Sequence, residues 1–232
     1  MNLILNNIKI LEDFETERSK KMTSLCSDSS HSEEIFFSVL ASYNRTEPEI
    51  KKALDYAKTL DFSKNHLKSS YLSHPLRLAT ILVQVCPNIH SDYIVIALLH
   101  NVPETTEITS KELNKLFGDK VGSGIEALVV DRKVNFSTVQ ESYYKAIFDA
   151  GESLTLVKLI DKVDNLFVLA LNADNEVRAD YITEIRVKLI PFALQYNQQL
   201  GIYLDYLLTA NTELGFSQEL KNQLTAYQET KK

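Results

Sequence analysis

Apolar residues along the chain recur at helical spacing from Glu33 onwards, and nothing alternates with period two for long enough to demand a sheet. Ser32, followed by Glu33 and Glu34, opens a first helix that runs through Ala41. Thr46 and Pro48 mark a second start, because proline is tolerated in a first turn, and this helix reaches about Asp61. Residues 75–86, 92–101, 109–117, 122–130 and 137–149 each carry a helical pattern. A long apolar helix over 153–172 follows, then one over 176–197, and two more near 198–210 and 216–229. The pattern predicts an all-α fold without internal repeats.

Residues 1–33 differ in character. A short apolar start leads into the charged stretch Glu12 to Lys21 and then a Ser-rich run from Ser24 to Ser32. This reads as an N-terminal extension and linker. The expected organisation is an extension over 1–33, a helical domain over 34–200, and a C-terminal helical tail over 201–232 packed on the bundle.

Composition supports this picture and narrows it. At 44% hydrophobic and 24% charged, the 232-residue chain can bury a sizeable core and is not globally disordered. Six glycines and five prolines are too few for the frequent turns of a sandwich, barrel or propeller. A formal net charge of −6 argues against a partner that is a nucleic-acid polymer, yet leaves room for one small anion held by a local group of basic side chains. Cys26 and Cys86 have neither metal-ligand nor redox spacing and read as reduced, structural thiols. The start lacks the basic and long apolar regions of a signal peptide, and no apolar run is long enough to span a bilayer. A cytoplasmic protein without a membrane partner is expected.

Candidate chemistry begins with two of the five histidines. His74 precedes Pro75 and is expected at the N-cap of the next helix, with its ring turned away from the helix body. His100 ends the apolar run Ile94 to Leu99, which must be buried, and Pro103 disfavours continuing that helix. His100 and Asn101 therefore lie at the inner end of a buried helix, where an imidazole needs a hydrogen bond or a metal. In the helix over 153–172, Leu156, Leu159, Ile160, Val163, Leu166, Phe167 and Ala170 form a broad apolar face. Lys158, Asp161, Lys162 and Asn165 share a polar wedge of roughly 100° that faces either solvent or a cleft.

Four stretches together resemble a known family. They are Tyr71-Leu72-Ser73-His74-Pro75, Ala97-Leu98-Leu99-His100-Asn101-Val102-Pro103-Glu104-Thr105-Thr106, Phe117-Gly118-Asp119-Lys120-Val121, and Val157-Lys158-Leu159-Ile160-Asp161-Lys162-Val163-Asp164-Asn165-Leu166. In this order they are similar to the motifs of the HD-domain metal-dependent phosphohydrolases, and more narrowly of the RelA/SpoT hydrolase domain, from about Ala57 to Leu200. The resemblance implies an all-α HD bundle that removes the 3′-pyrophosphate of guanosine tetraphosphate with a divalent metal, usually Mn²⁺. It makes His74, His100 and Asp161 metal ligands and Glu104 the acid that positions or deprotonates the attacking water. Asn165 becomes a substrate contact, and Lys162 stands at the family's arginine. Lys158, Lys64 and Lys68 are local candidates for phosphate charge.

The chain departs from those motifs at two central positions. The family's His-Asp is His100-Asn101, so a ligating carboxylate becomes a neutral amide, and its Glu-Asp is Glu104-Thr105. Hard cations favour charged oxygen donors, so metal affinity is expected to fall. Asn101 can still ligate through its amide oxygen. Three readings stay open: an active pyrophosphohydrolase; a degenerate member that binds a phosphorylated nucleotide or a protein partner without turnover; and a phosphohydrolase acting on an unrelated phosphoester. The patterning leaves the oligomeric state unassigned.

Overall fold

The computed structural model describes residues 29–62, 69–130, 136–219 and 221–222. Every regular element among them is helical, as the periodicity predicts. The described chain divides into two compact units, with the division after Ile160.

The first unit begins with α1 (Ser29–Ser42) and α2 (Pro48–Lys58). A 3-10 turn, Ser69–Leu72, then runs directly into α3 (Ser73–Val85). Next come α4 (Ser91–Leu99), the single turn α5 (Val102–Thr105), α6 (Ser110–Phe117), α7 (Asp119–Leu128) and α8 (Phe136–Asp149). The long helix α9 (Glu152–Val168) leaves this unit and enters the second.

Helix α4 is the centre of the first unit. Every residue from Ile94 to Leu99 is buried, and a helix apolar on all sides has to be enclosed by others. It packs against α2, α3 and α7, while α1 packs on α3. Phe36 and Leu40 anchor α1. That anchorage starts the helix at Ser29, ahead of the predicted Ser32, because packing overrides the weak helix propensity of serine. The crossing of α6 and α7 is close at Gly122: a Cβ there would lie 2.7 Å from the Cα of Asn114, so only glycine fits. Thr109 and Glu112 close a reciprocal capping box at the start of α6.

In the second unit, α9 ends in a 3-10 turn, Leu169–Leu171. It is followed by α10 (Asn175–Glu184), a wide π turn over Ile185–Leu189, α11 (Ile190–Tyr196) and α12 (Gln198–Leu214). The predicted single helix over 176–197 is thus interrupted. Pro191 has no N–H to donate to the turn before it, and the π turn accommodates that missing bond. Helices α11 and α12 pack as a hairpin, in which a Cβ on Gly201 would lie 2.7 Å from the Leu194 backbone nitrogen. Of the predicted last helix, 216–229, all but residues 216–219 and 221–222 lies outside the described residues. No helix among the described residues is long and apolar enough to cross a membrane.

Candidate metal centre

Three helices of different local character deliver the candidate ligands. His74 sits inside the first turn of α3, not at its N-cap, because the 3-10 turn has already brought Leu72 into helical geometry. His100 is the C-cap residue of α4 and only 3% exposed, at the buried end the apolar run predicts. Asp161 is 5% exposed and lies on α9, one residue past Ile160 on the same uninterrupted helix, so the helix that leaves the first unit sets its position.

One ligand atom from each of His74, His100 and Asp161 lies within 4.8 Å of the others. The two imidazoles meet edge to face, with ring centroids 5.3 Å apart and planes at 63°. The Nδ1 of His100 is 2.9 Å from the Ala97 carbonyl oxygen. A carbonyl can only accept, so Nδ1 carries the proton and Nε2 carries the lone pair of the neutral ring. This is the tautomer a metal-ligating histidine needs, held by a backbone partner.

The donor set fits a divalent ion. Borderline divalent ions bind nitrogen and oxygen at about 2.0–2.2 Å, so two donors in one shell lie at most about 4.4 Å apart. The 4.8 Å limit is close to that. Two imidazoles and one carboxylate suit a borderline transition ion better than Ca²⁺ or Mg²⁺, which take oxygen ligands. Three protein donors also leave coordination positions for water and substrate, as catalytic sites require.

Around Asp161 the second unit builds a buried polar layer. Asn165, half-buried one turn further along α9, donates from Nδ2 to the Asp161 Oδ1 at 2.9 Å. Lys162 is 8% exposed and pairs with Glu184 of α10 at 3.1 Å. Its ammonium also lies 4.6 Å from the centroid of the Tyr181 ring. Burial, reinforced by the negative charges of Asp161, Glu184 and Asp164, holds the Tyr181 phenol well above its ordinary pKa and therefore protonated. The polar wedge of α9 is thus enclosed, and its lysines are not a solvated stripe: Lys158 is 7% exposed, with its ammonium 5.5 Å from the centroid of the Tyr143 ring.

The remaining candidates fall as follows. Asn101 follows His100 directly and is half-buried. The Thr105 hydroxyl donates to the Asn101 backbone oxygen at 2.6 Å. Glu104, on the short helix α5, accepts the Val130 backbone N–H at 3.0 Å, which fixes one carboxylate oxygen on the chain segment after α7. Lys64 and Lys68 lie outside the described residues.

Three members of this layer are absent from the sequence-derived candidates. Asp164 is fully buried but falls outside the polar wedge, on the side of α9 that reads as apolar. Tyr181 and Glu184 stand on a different helix, and no local pattern ties them to Lys162. A tyrosine and an acid at i, i+3 on an otherwise polar helix were the only signal.

Comparison with known proteins agrees with the motif reading. No protein-family model matches the chain. The chain is 30% identical over 141 residues to a guanosine-3′,5′-bis(diphosphate) 3′-pyrophosphohydrolase of Aquifex aeolicus, a match covering 59% of this chain and 20% of that protein. It is 26% identical over 196 residues to the bifunctional (p)ppGpp synthase/hydrolase SpoT of Escherichia coli, covering 80% of this chain and 27% of that protein. The chain therefore spans about a fifth to a quarter of the length of these curated relatives. Among solved structures, a metazoan ortholog of SpoT that hydrolyses ppGpp and plays a role in starvation responses superposes with a TM-score of 0.58. Identity is 22%, with 74% of this chain and 98% of that chain covered.

The two share a fold. The all-α expectation and the resemblance to the RelA/SpoT hydrolase domain are both borne out over the matched segment.

Proposed function

We propose that this chain is a metal-dependent phosphohydrolase that removes the 3′-pyrophosphate from guanosine tetraphosphate and related nucleotides. The observation that carries the reading is the His74–His100–Asp161 group, assembled within a fold shared with a ppGpp-hydrolysing SpoT ortholog. Hydrolysis consumes one water, cleaves the bond between the ribose 3′ oxygen and the pyrophosphate, and releases guanosine diphosphate and pyrophosphate.

In this reading His74, His100 and Asp161 hold a divalent ion, Mn²⁺ by preference, with Asn101 as a weak neutral donor. When bound, the ion supplies Lewis-acid polarisation of a phosphoryl oxygen and a lowered pKa for bound water. Glu104 orients the attacking water and accepts its proton; its bond to the Val130 N–H holds the carboxylate in one orientation. Lys158 offsets phosphate charge, while the ammonium of Lys162 is neutralised by Glu184. Lys64 and Lys68 are the phosphate contacts proposed from sequence position alone. The reaction suits a cytoplasmic setting, where such a nucleotide is found.

A second reading is favoured by one observation. Thr105 stands where the resembled motif has an acid, and its hydroxyl is engaged by the Asn101 backbone oxygen. Glu104 is then the sole acid of that pair, and Asp161 the sole carboxylate among the ligands. Such a site can bind a phosphorylated nucleotide or a partner without turning it over.

Incubation of the full chain with Mn²⁺ and guanosine tetraphosphate, with pyrophosphate release as the readout, separates the two. Release above the metal-free rate supports the hydrolase. Nucleotide binding without release supports the second reading. Release from a monophosphate ester but not from guanosine tetraphosphate overturns the substrate assignment.

A further inference from the structure

The layer beneath Asp161 suggests a role for a residue that the motif resemblance assigns to substrate. A lone carboxylate ligand on a helix surface has free rotation about two side-chain bonds, and a ligand that must find its orientation binds weakly. Outer-layer hydrogen bonds remove that freedom, and they commonly govern metal affinity. In this chain the demand is sharpened: with Asn101 in place of a second acid, Asp161 supplies the only ligand charge in the group.

Asn165 answers that demand. It lies four residues after Asp161, on the same face of α9, and its amide nitrogen is 2.9 Å from the Asp161 Oδ1. A side-chain amide has a fixed donor direction, so a bond made by Nδ2 to one oxygen turns the other carboxylate oxygen away from it. Behind Asn165 and Asp161, the same helix is tied to α10 by the buried Lys162–Glu184 pair at 3.1 Å, with the Lys162 ammonium over the Tyr181 ring. Lys162 has its charge balanced by Glu184. That pairing tethers the helix turn that carries Asp161 to its neighbour.

We propose that Asn165 is a positioning residue of the metal centre, which holds the Asp161 carboxylate in its ligating orientation, with the Lys162–Glu184 pair fixing the helix turn that carries both. The inference rests on the metal-site reading above and deepens it. Its consequence is that Asn165 acts on metal affinity, whereas a substrate contact acts on nucleotide affinity.

The test is Mn²⁺ binding by calorimetry on the full chain, compared among wild type, Asn165→Leu and Asn165→Gln. Leucine keeps the volume and removes the donor; glutamine keeps a donor at a spacing that still reaches an aspartate one turn back. Asn165→Leu is expected to weaken Mn²⁺ binding by about 10–100-fold, the usual cost of losing an outer-layer partner. Asn165→Gln is expected to recover most of that loss. At saturating Mn²⁺, the KM for guanosine tetraphosphate should stay close to the wild-type value in both. Thermal melting identifies any variant that fails to fold, and Asn165→Ala then replaces Asn165→Leu.

An unchanged Mn²⁺ isotherm in folded Asn165→Leu overturns the inference and leaves the metal site standing. So does a raised KM with unaltered metal binding, which returns Asn165 to the substrate. Equal losses in the leucine and glutamine variants overturn it too. Wild-type protein that takes up no Mn²⁺ overturns the metal centre itself, and the inference with it.

Discussion

The Ala97 carbonyl accepts the Nδ1 proton of His100 at 2.9 Å, and this one bond decides which nitrogen of a buried imidazole carries its lone pair. The bond stays within the last turn of α4, so the ligating tautomer is set by local helix geometry. His100→Ala removes one of the three side chains proposed to hold the ion. Mn²⁺ affinity is expected to fall by more than about 100-fold, since loss of an outer-layer partner alone costs about 10–100-fold. Calorimetry measures it directly, and an unaffected isotherm would remove His100 from the metal centre.

Asn101 is the position at which this chain most visibly departs from the motifs it resembles. Asn101→Asp adds a charged oxygen donor beside His100 and raises the ligand charge from one negative to two. Tighter Mn²⁺ binding, by about tenfold or more, and faster pyrophosphate release are expected from the preference of divalent ions for charged donors. Titration with Mn²⁺ alone, followed by turnover at fixed metal, reads the two effects separately. Unchanged affinity would mean that residue 101 does not face the ion.

The Lys162–Glu184 pair is enclosed, with both side chains about one-tenth exposed. Removing one partner strands the other charge away from water. Glu184→Leu is therefore expected to destabilise the chain by about 3–5 kcal/mol, whereas the double variant Lys162→Met with Glu184→Leu is expected to recover most of that. Denaturant melts of the two single variants and the double variant give the coupling. Additive losses would show that the pair carries no mutual energy.

Glu112 is held below its ordinary pKa by its bonds to the backbone and hydroxyl of Thr109 in the capping box, against a smaller opposing effect of desolvation. A carboxylate with a depressed folded-state pKa binds fewer protons when folded than when unfolded. Its contribution is present above the unfolded value of 4.5 and is lost as the pH falls below that, through the folded value. Glu112→Gln is expected to flatten the acid limb of the stability profile below about pH 4.5 relative to wild type. Thermal melts between neutral and acid pH measure it, and parallel acid limbs would exclude the box as their source.

Much of this architecture follows from local pattern. The run Ile94 to Leu99 can only be a buried helix, and it places His100 at an enclosed helix end. The all-α fold followed from helical spacing and scarce glycine. Other features depend on what the chain meets in space. The pattern puts the N-cap at His74, two residues late, because the preceding 3-10 turn makes Leu72 the N-cap. Pro191 sat inside a pattern that reads as continuous helix, and only the backbone shows the π turn that accommodates it. The polar wedge of α9 is visible in the sequence, but its enclosure by Tyr181 and Glu184 joins residues of two different helices, which periodicity cannot connect.

In the proposed reading, His74, His100 and Asp161 hold a metal, and that metal makes the chain a pyrophosphohydrolase. The most direct measurement is pyrophosphate release from guanosine tetraphosphate by metal-stripped protein, before and after adding Mn²⁺, for wild type and Asp161→Asn. Wild-type protein is expected to release pyrophosphate only after Mn²⁺ is restored, and Asp161→Asn is expected to lose that release. Equal release with and without Mn²⁺, or undiminished release by Asp161→Asn, would contradict it.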